Sequence, residues 1–197
     1  MSSLKRKSAI ALAWDFGGLV ISRGSGFIIS IFLARLLSPA EFGIVGMAAV
    51  FIAISQVFVD VGFASALIQR KENSDLAYSS VFYFNVFSGL LITILFYFLA
   101  PFIGDFYDKT EVTSLVRWLS LSFLFNSFNQ VQSAILVKQL NFKALTMRNI
   151  IASILAGGLG VFTAVQNFGV YALVIQSLSS ALISTILLWS ISSWKPS

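Results

Sequence analysis

Six stretches of twenty or more mostly apolar residues follow one another through this 197-residue chain, separated by polar breaks of only two to eight residues. A bilayer core of roughly 30 Å needs about 20 apolar residues per helix, so each stretch is long enough to cross with some tilt. The expected spans are about 8–37, 40–68, 76–103, 112–137, 146–165 and 170–191. Together they predict an all-α polytopic membrane protein: one transmembrane domain over residues 1–197, with no room for a soluble domain. Hydrophobic residues make up 57% of the chain, charged residues 11%, and mean hydropathy is +0.89, a balance foreign to a water-soluble domain of this size. The first apolar run is too long for a cleaved signal peptide, and the Ala13-Trp14-Asp15 sequence within it resembles no small-residue cleavage site.

The breaks carry local signals. Ser38 is placed to cap the second helix and Pro39 to occupy its first turn, which makes the first connection a tight helical hairpin. Of the 13 Lys and Arg residues, nine fall on the side of the N-terminus: Lys5, Arg6, Lys7, Arg70, Lys71, Lys138, Lys143, Arg148 and Lys195. Arg35, Lys109 and Arg117 fall on the other. The asymmetry places both termini in the cytoplasm. It also accounts for the net charge of +5 without nucleic acid, because the cations, apart from Arg23 inside span one, lie in or beside the breaks between spans and not on a soluble face.

Several chemistries are excluded at once. With no Cys and no His there is no disulfide, no thiolate or imidazole metal ligand, no Ser-His-Asp triad and no Cys nucleophile. No glycine-rich phosphate loop and no paired-carboxylate arrangement is present either, so neither an enzyme nor a cofactor is expected.

Polar residues inside the spans are the remaining candidates. In span one, Asp15, Ser22, Arg23, Gly26 and Ser30 fall within about 100° of one another on a helical projection. Asp15 and Arg23 are separated by about 12 Å along the axis, too far to pair directly. Arg23 offers its guanidinium to an anion such as a pyrophosphate, or pairs with a group on a neighbouring helix, or extends to the interface. Span two places Ala49, Ala53, Gln56 and Asp60 on one face, with Asp60 near enough to Arg70 and Lys71 for an interfacial ion pair. Span four does the same with Ser122, Asn126, Asn129, Gln130 and Ser133, and span six with Gln176, Ser179, Ser180 and Ser184. Such groups suit either interhelical hydrogen bonds or a polyhydroxylated ligand. Four striped helices together favour a hydrated cavity. In span five, Ala152, Ala156, Gly160 and Ala164 form a small-residue stripe expected to serve helix packing.

Two segments resemble a known family. The hairpin Phe32-Leu33-Ala34-Arg35-Leu36-Leu37-Ser38-Pro39-Ala40-Glu41-Phe42-Gly43 and the run from Asp60 to Arg70 are similar to those of the Wzx-type polysaccharide transporter family, within the superfamily that includes MATE exporters and lipid II flippases. Leu119–Leu124, Phe142–Leu145 and Gly169–Val174 fit the same pattern in the same order. The resemblance implies a flippase that moves an undecaprenyl-pyrophosphate-linked oligosaccharide across a bacterial inner membrane by alternating access. It also implies that a basic residue on the first helix, here Arg23, lines the cavity, with Asp15, Ser22, Gln56, Asn126, Asn129, Gln130 and Gln176 as further candidates. Members have about twelve to fourteen helices in two bundles, so the chain is expected to be the N-terminal lobe, completed by a C-terminal half or by a second lobe in trans. A truncated fragment without transport activity and a small dimeric drug or metabolite exporter are the alternatives.

Overall fold

The computed structural model describes residues 2–59, 67–68 and 74–196, with side chains at 14, 16–54, 67–68 and 74–196. The described helices are α1 (Ser2–Leu36), α2 (Pro39–Val59), α3 (Asp75–Phe106), α4 (Thr110–Ser127), α5 (Gln130–Lys138), α6 (Phe142–Val165) and α7 (Tyr171–Ile191). There is no strand among the described residues. Four of the helices are long and apolar enough to cross a membrane on their own: Phe16–Leu36 of α1, then α3, α6 and α7. Large side chains turn outward along them, as with Phe98, Phe102 and Phe106 on one face of α3, at 70, 71 and 75% exposure. In water that stripe would be an aggregation surface; in a bilayer it is where the lipid lies. The protein is an all-α multi-pass membrane bundle.

The first hairpin is built as its sequence predicts. The Ser38 backbone N–H donates to Glu41 Oε2 at 2.7 Å, and the Glu41 N–H returns a bond to Ser38 Oγ at 3.3 Å. This reciprocal capping box, with Pro39 in the first turn, satisfies donors that the start of α2 would otherwise leave open. Three later helices stop in a common manner. Asp108, Leu140 and Asn167, after α3, α5 and α6, take left-handed φ values of 54, 55 and 61°. The following residue then donates back five positions: Lys109 to Gly104 at 3.0 Å, Asn141 to Leu136 at 2.9 Å and Phe168 to Thr163 at 3.2 Å. These bonds satisfy the terminal carbonyls and make short reversals.

Packing does not follow chain order throughout. The α3–α4 and α6–α7 pairs are neighbours in sequence and in space, but α1 lies chiefly against α6. Gly18 meets Thr146, Ser25 Oγ is 3.3 Å from Ser153 Oγ, and Gly157 receives the Ile29 side chain. Each pair is separated by 128 positions, as with Ser25 and Ser153, and a constant offset means that α1 and α6 run parallel. The small residues of α6 serve both sides: Ala152, Ala156, Gly157 and Gly160 are buried. Gly157 admits α1, and a Cβ on Gly160 would meet Gln176 Cβ of α7 at 2.9 Å. Helix α4 is the hub, against which α2, α3 and α7 pack. Its contact with α3 is close enough that Gly89 abuts Ser127, while Thr93 Oγ1 lies 2.8 Å from the Gly89 carbonyl and 3.1 Å from that of Ser120 across the seam.

The expected span 112–137 is two helices, α4 and α5, joined at Phe128-Asn129. Both joint residues keep right-handed helical angles, so the chain relaxes without reversing. Carbonyls around the joint are taken up by α7. Thr185 Oγ1 lies 3.2 Å from the Phe125 carbonyl, Trp189 Nε1 donates to that of Phe128 at 3.3 Å, and Asn129 Nδ2 donates to Thr185 Oγ1 at 3.0 Å. Interrupted helices of this kind are stable at membrane depth when neighbouring helices satisfy the freed groups.

Candidate functional site

The α4–α7 seam that carries this joint opens into two hollows. One, of about 310 Å³, is lined by Ile68, Asn126, Asn129, Gln130, Ser133, Ala134, Val137, Arg148 and Ser184. Its polar wall comes from the α4–α5 joint, since the helical repeat turns Asn126, Asn129, Gln130 and Ser133 to one side. Asn129 is 8% exposed and spends its Nδ2 on Thr185, leaving its buried Oδ1 without a hydrogen-bond partner.

Arg148 enters the hollow from α6. Its Nη1 donates to Ser133 Oγ at 3.2 Å, while Nε and Nη2 donate to Asn149 Oδ1 at 3.1 and 2.8 Å. A guanidinium has five N–H groups, so this arrangement leaves capacity for a further acceptor. Among the described residues that line the hollow there is no Asp or Glu. A cation fixed by neutral groups within a bundle of apolar helices is an electrostatic site for an anion, and the planar fork matches a carboxylate or phosphate.

The second hollow, of about 520 Å³, is lined by Val45, Ala49, Ile52 and Ala53 of α2, Leu119 of α4, and Leu173, Gln176, Ser177 and Ser180 of α7. None of the described residues that line it is ionisable. One wall is amide and hydroxyl, the other aliphatic.

The residues expected from sequence are therefore divided. Asn126, Asn129 and Gln130 come together in the first hollow and Gln176 in the second. Arg23 is exposed on α1 and lines neither, while Ser22 is half-buried with its carbonyl accepting from Ser25 Oγ at 3.0 Å. The side chains of Asp15 and Gln56, and all of Asp60, lie outside the described residues. Arg148 is the residue that sequence reasoning missed: at the very start of the expected span 146–165, it was counted with the cations of the preceding break. The signal that could have found it is Asn141: its Oδ1 accepts from the Ala144 N–H at 3.3 Å and starts α6 at Phe142, which carries Arg148 more than a turn inside the helix.

Comparison with known proteins bears on the whole arrangement. The profile of a family described as polysaccharide biosynthesis protein matches residues 32–197. The chain belongs to this family. Its relatives in the polysaccharide biosynthesis family include lipopolysaccharide biosynthesis protein WzxC of Escherichia coli K12, 31% identical over 145 residues, covering 74% of this chain and 30% of the relative. Teichuronic acid biosynthesis protein TuaB of Bacillus subtilis 168 is 31% identical over 147 residues, covering 72% of this chain and 30% of its own length. Succinoglycan biosynthesis transport protein ExoT of Rhizobium meliloti 1021 is 29% identical over 174 residues, covering 88% and 35%. The chain thus spans about a third of the length of the curated relatives it matches. No solved structure matches significantly. The family match takes in both hollows and the capped first hairpin, and it begins after Asp15, Ser22 and Arg23.

Proposed function

We propose that this member of the polysaccharide biosynthesis family is one lobe of a bacterial inner-membrane transporter for a lipid-linked oligosaccharide precursor, working by alternating access. The Arg148 hollow carries the reading. It sets a guanidinium, amides and hydroxyls together among apolar helices, where an undecaprenyl pyrophosphate headgroup could exchange water for fixed donors. Opposite it stands a second helical lobe, supplied by the same polypeptide or in trans, and the two rock about the shared polar seam. The nine-to-three distribution of Lys and Arg supports a topology with both termini in the cytoplasm and the Arg148 hollow towards that side. The activity is transport and not bond-making chemistry.

The test is expression in a strain lacking its own polysaccharide exporter, with the chain alone and together with a second lobe taken from a full-length relative. Surface polysaccharide should return with the pair and be lost again on Arg148→Ala at equal membrane abundance. Export unaffected by Arg148→Ala, or no export from pairs that assemble and insert, would overturn the proposal.

A further inference from the structure

The two hollows share α7 as a wall but differ in chemistry, and the difference implies a division of labour. Gln176, Ser180 and Ser184 recur at four-residue spacing, so one face of α7 carries polar groups from the uncharged hollow to the Arg148 hollow. Eight residues at 1.5 Å rise separate Gln176 from Ser184 by about 12 Å. A single phosphate group cannot occupy both ends. Among the described residues that line the two hollows, the one cation is Arg148, at the Ser184 end.

The hydroxyls of this face are also uncommitted. Helical Ser and Thr ordinarily return their hydroxyl to a carbonyl one turn back, and Ser25, Ser120, Ser122, Ser127, Thr163 and Ser190 do so here at 2.6 to 3.0 Å. Among the described residues, Ser177, Ser180, Ser184 and the Gln176 amide have no such side-chain bond. Gln176 is held from behind by α6, where the missing Cβ of Gly160 makes room for its Cβ and Cγ. Across the hollow, Ala49 and Ala53 keep α2 narrow, and Ile52 and Leu119 supply an aliphatic wall. Hydrogen-bonding groups on one side and hydrocarbon on the other match a sugar ring, which has hydroxyls at its edge and C–H groups on its faces. The volume is within the range of ligand sites, roughly 300 to 1,000 Å³.

We propose that the Gln176 hollow is a glycan subsite for uncharged sugar units, about 12 Å along α7 from an anion subsite at Arg148. A ligand with a pyrophosphate end and a neutral oligosaccharide then lies along the seam in one direction. The inference rests on the transport reading above and deepens it. It assigns the seam an order: charge at one end, hydroxyls at the other.

The chain has no Cys, so single thiols can be placed at will. Val137→Cys reports on the Arg148 hollow and Ala53→Cys on the Gln176 hollow, with Phe98→Cys as a lipid-facing control. Each full chain, in nanodiscs, is challenged with a charged, water-soluble methanethiosulfonate. The probes are a short-chain polyprenyl pyrophosphate and the same compound bearing a neutral tetrasaccharide. Both hollow thiols should react at least tenfold faster than the Phe98→Cys thiol. The sugar-free compound should protect Val137→Cys alone; the glycosylated one should protect both, and Gln176→Ala should remove its effect at Ala53→Cys while leaving Val137→Cys protected. Equal protection of Ala53→Cys by the two compounds, or protection of Val137→Cys alone by both, would overturn the glycan subsite and leave the anion subsite standing. Protection of neither thiol would remove the transport reading and this one together.

Discussion

Arg148 Nη1 donates to Ser133 Oγ across the α5–α6 contact at 3.2 Å, so the cation is tethered to the wall of the hollow it serves. The tether fixes the plane of the guanidinium, which decides how much of its binding depends on shape and how much on charge.

Arg148→Lys keeps the charge and loses the fork. Pyrophosphate affinity at the Arg148 hollow should fall by about tenfold, the equivalent of one hydrogen bond at about 1.4 kcal/mol. Arg148→Gln should lose substantially more, and Ser133→Ala should be the mildest of the three. Competition against the Val137→Cys labelling reaction measures the order; equal affinity for Arg and Lys would mean that only charge matters.

Gly160 is a spacing residue between α6 and α7. Gly160→Ala brings a Cβ against Gln176 Cβ, which lies at the root of that side chain and cannot swing aside. A loss of about 1 to 3 kcal/mol is expected, read as a lower thermal midpoint in nanodiscs. Gly158, whose surroundings are open, should accept Ala with little change.

Gln132 is fully buried, and both its Oε1 and its Nε2 lack a hydrogen-bond partner. Replacement by Met, similar in length but apolar, should raise stability by about 1 to 3 kcal/mol, because an unsatisfied buried polar group costs about that much. A drop in melting temperature would show that the amide is bonded through water.

Leu140 takes a left-handed φ of 55° at the end of α5. Gly adopts that conformation without a Cβ clash, so Leu140→Gly should stabilise the chain by about 1 kcal/mol, whereas Leu140→Val should destabilise it. Thermal unfolding followed by intrinsic Trp fluorescence distinguishes the two.

How far the sequence could be read depended on whether each signal was local. Ser38, Pro39 and Glu41 lie within four positions, and their spacing alone announces the capped hairpin. The Ala152–Ala164 stripe and the Asn126–Ser133 face follow from helical repeat alone. The α4–α5 joint could not be foreseen, because Phe128 and Asn129 keep helical angles and the partners that support it, Thr185 and Trp189, come from α7, 56 and 61 residues on. Arg148 was hidden by a boundary: a fifth span starting at Thr146 leaves it in the first turn, counted with the cations of the break, and starting α6 at Phe142 carries it deeper and onto a wall. The constellation on α4, α5 and α7 was legible as polar stripes, but their division into a charged and an uncharged hollow depends on how α2 and α6 approach them.

The parallel pairing of α1 with α6 has a consequence for how the molecule is made. A ribosome adding about 5 to 20 residues per second needs on the order of 6 to 26 s to synthesise the 128 residues that separate Ser25 from Ser153. Throughout that interval the first helix, with Arg23 partway along it, must reside in the bilayer before its packing partner exists. Biogenesis therefore depends on a holding step, by the insertion machinery or by the lipids themselves, and the contact with α1 closes only when α6 arrives.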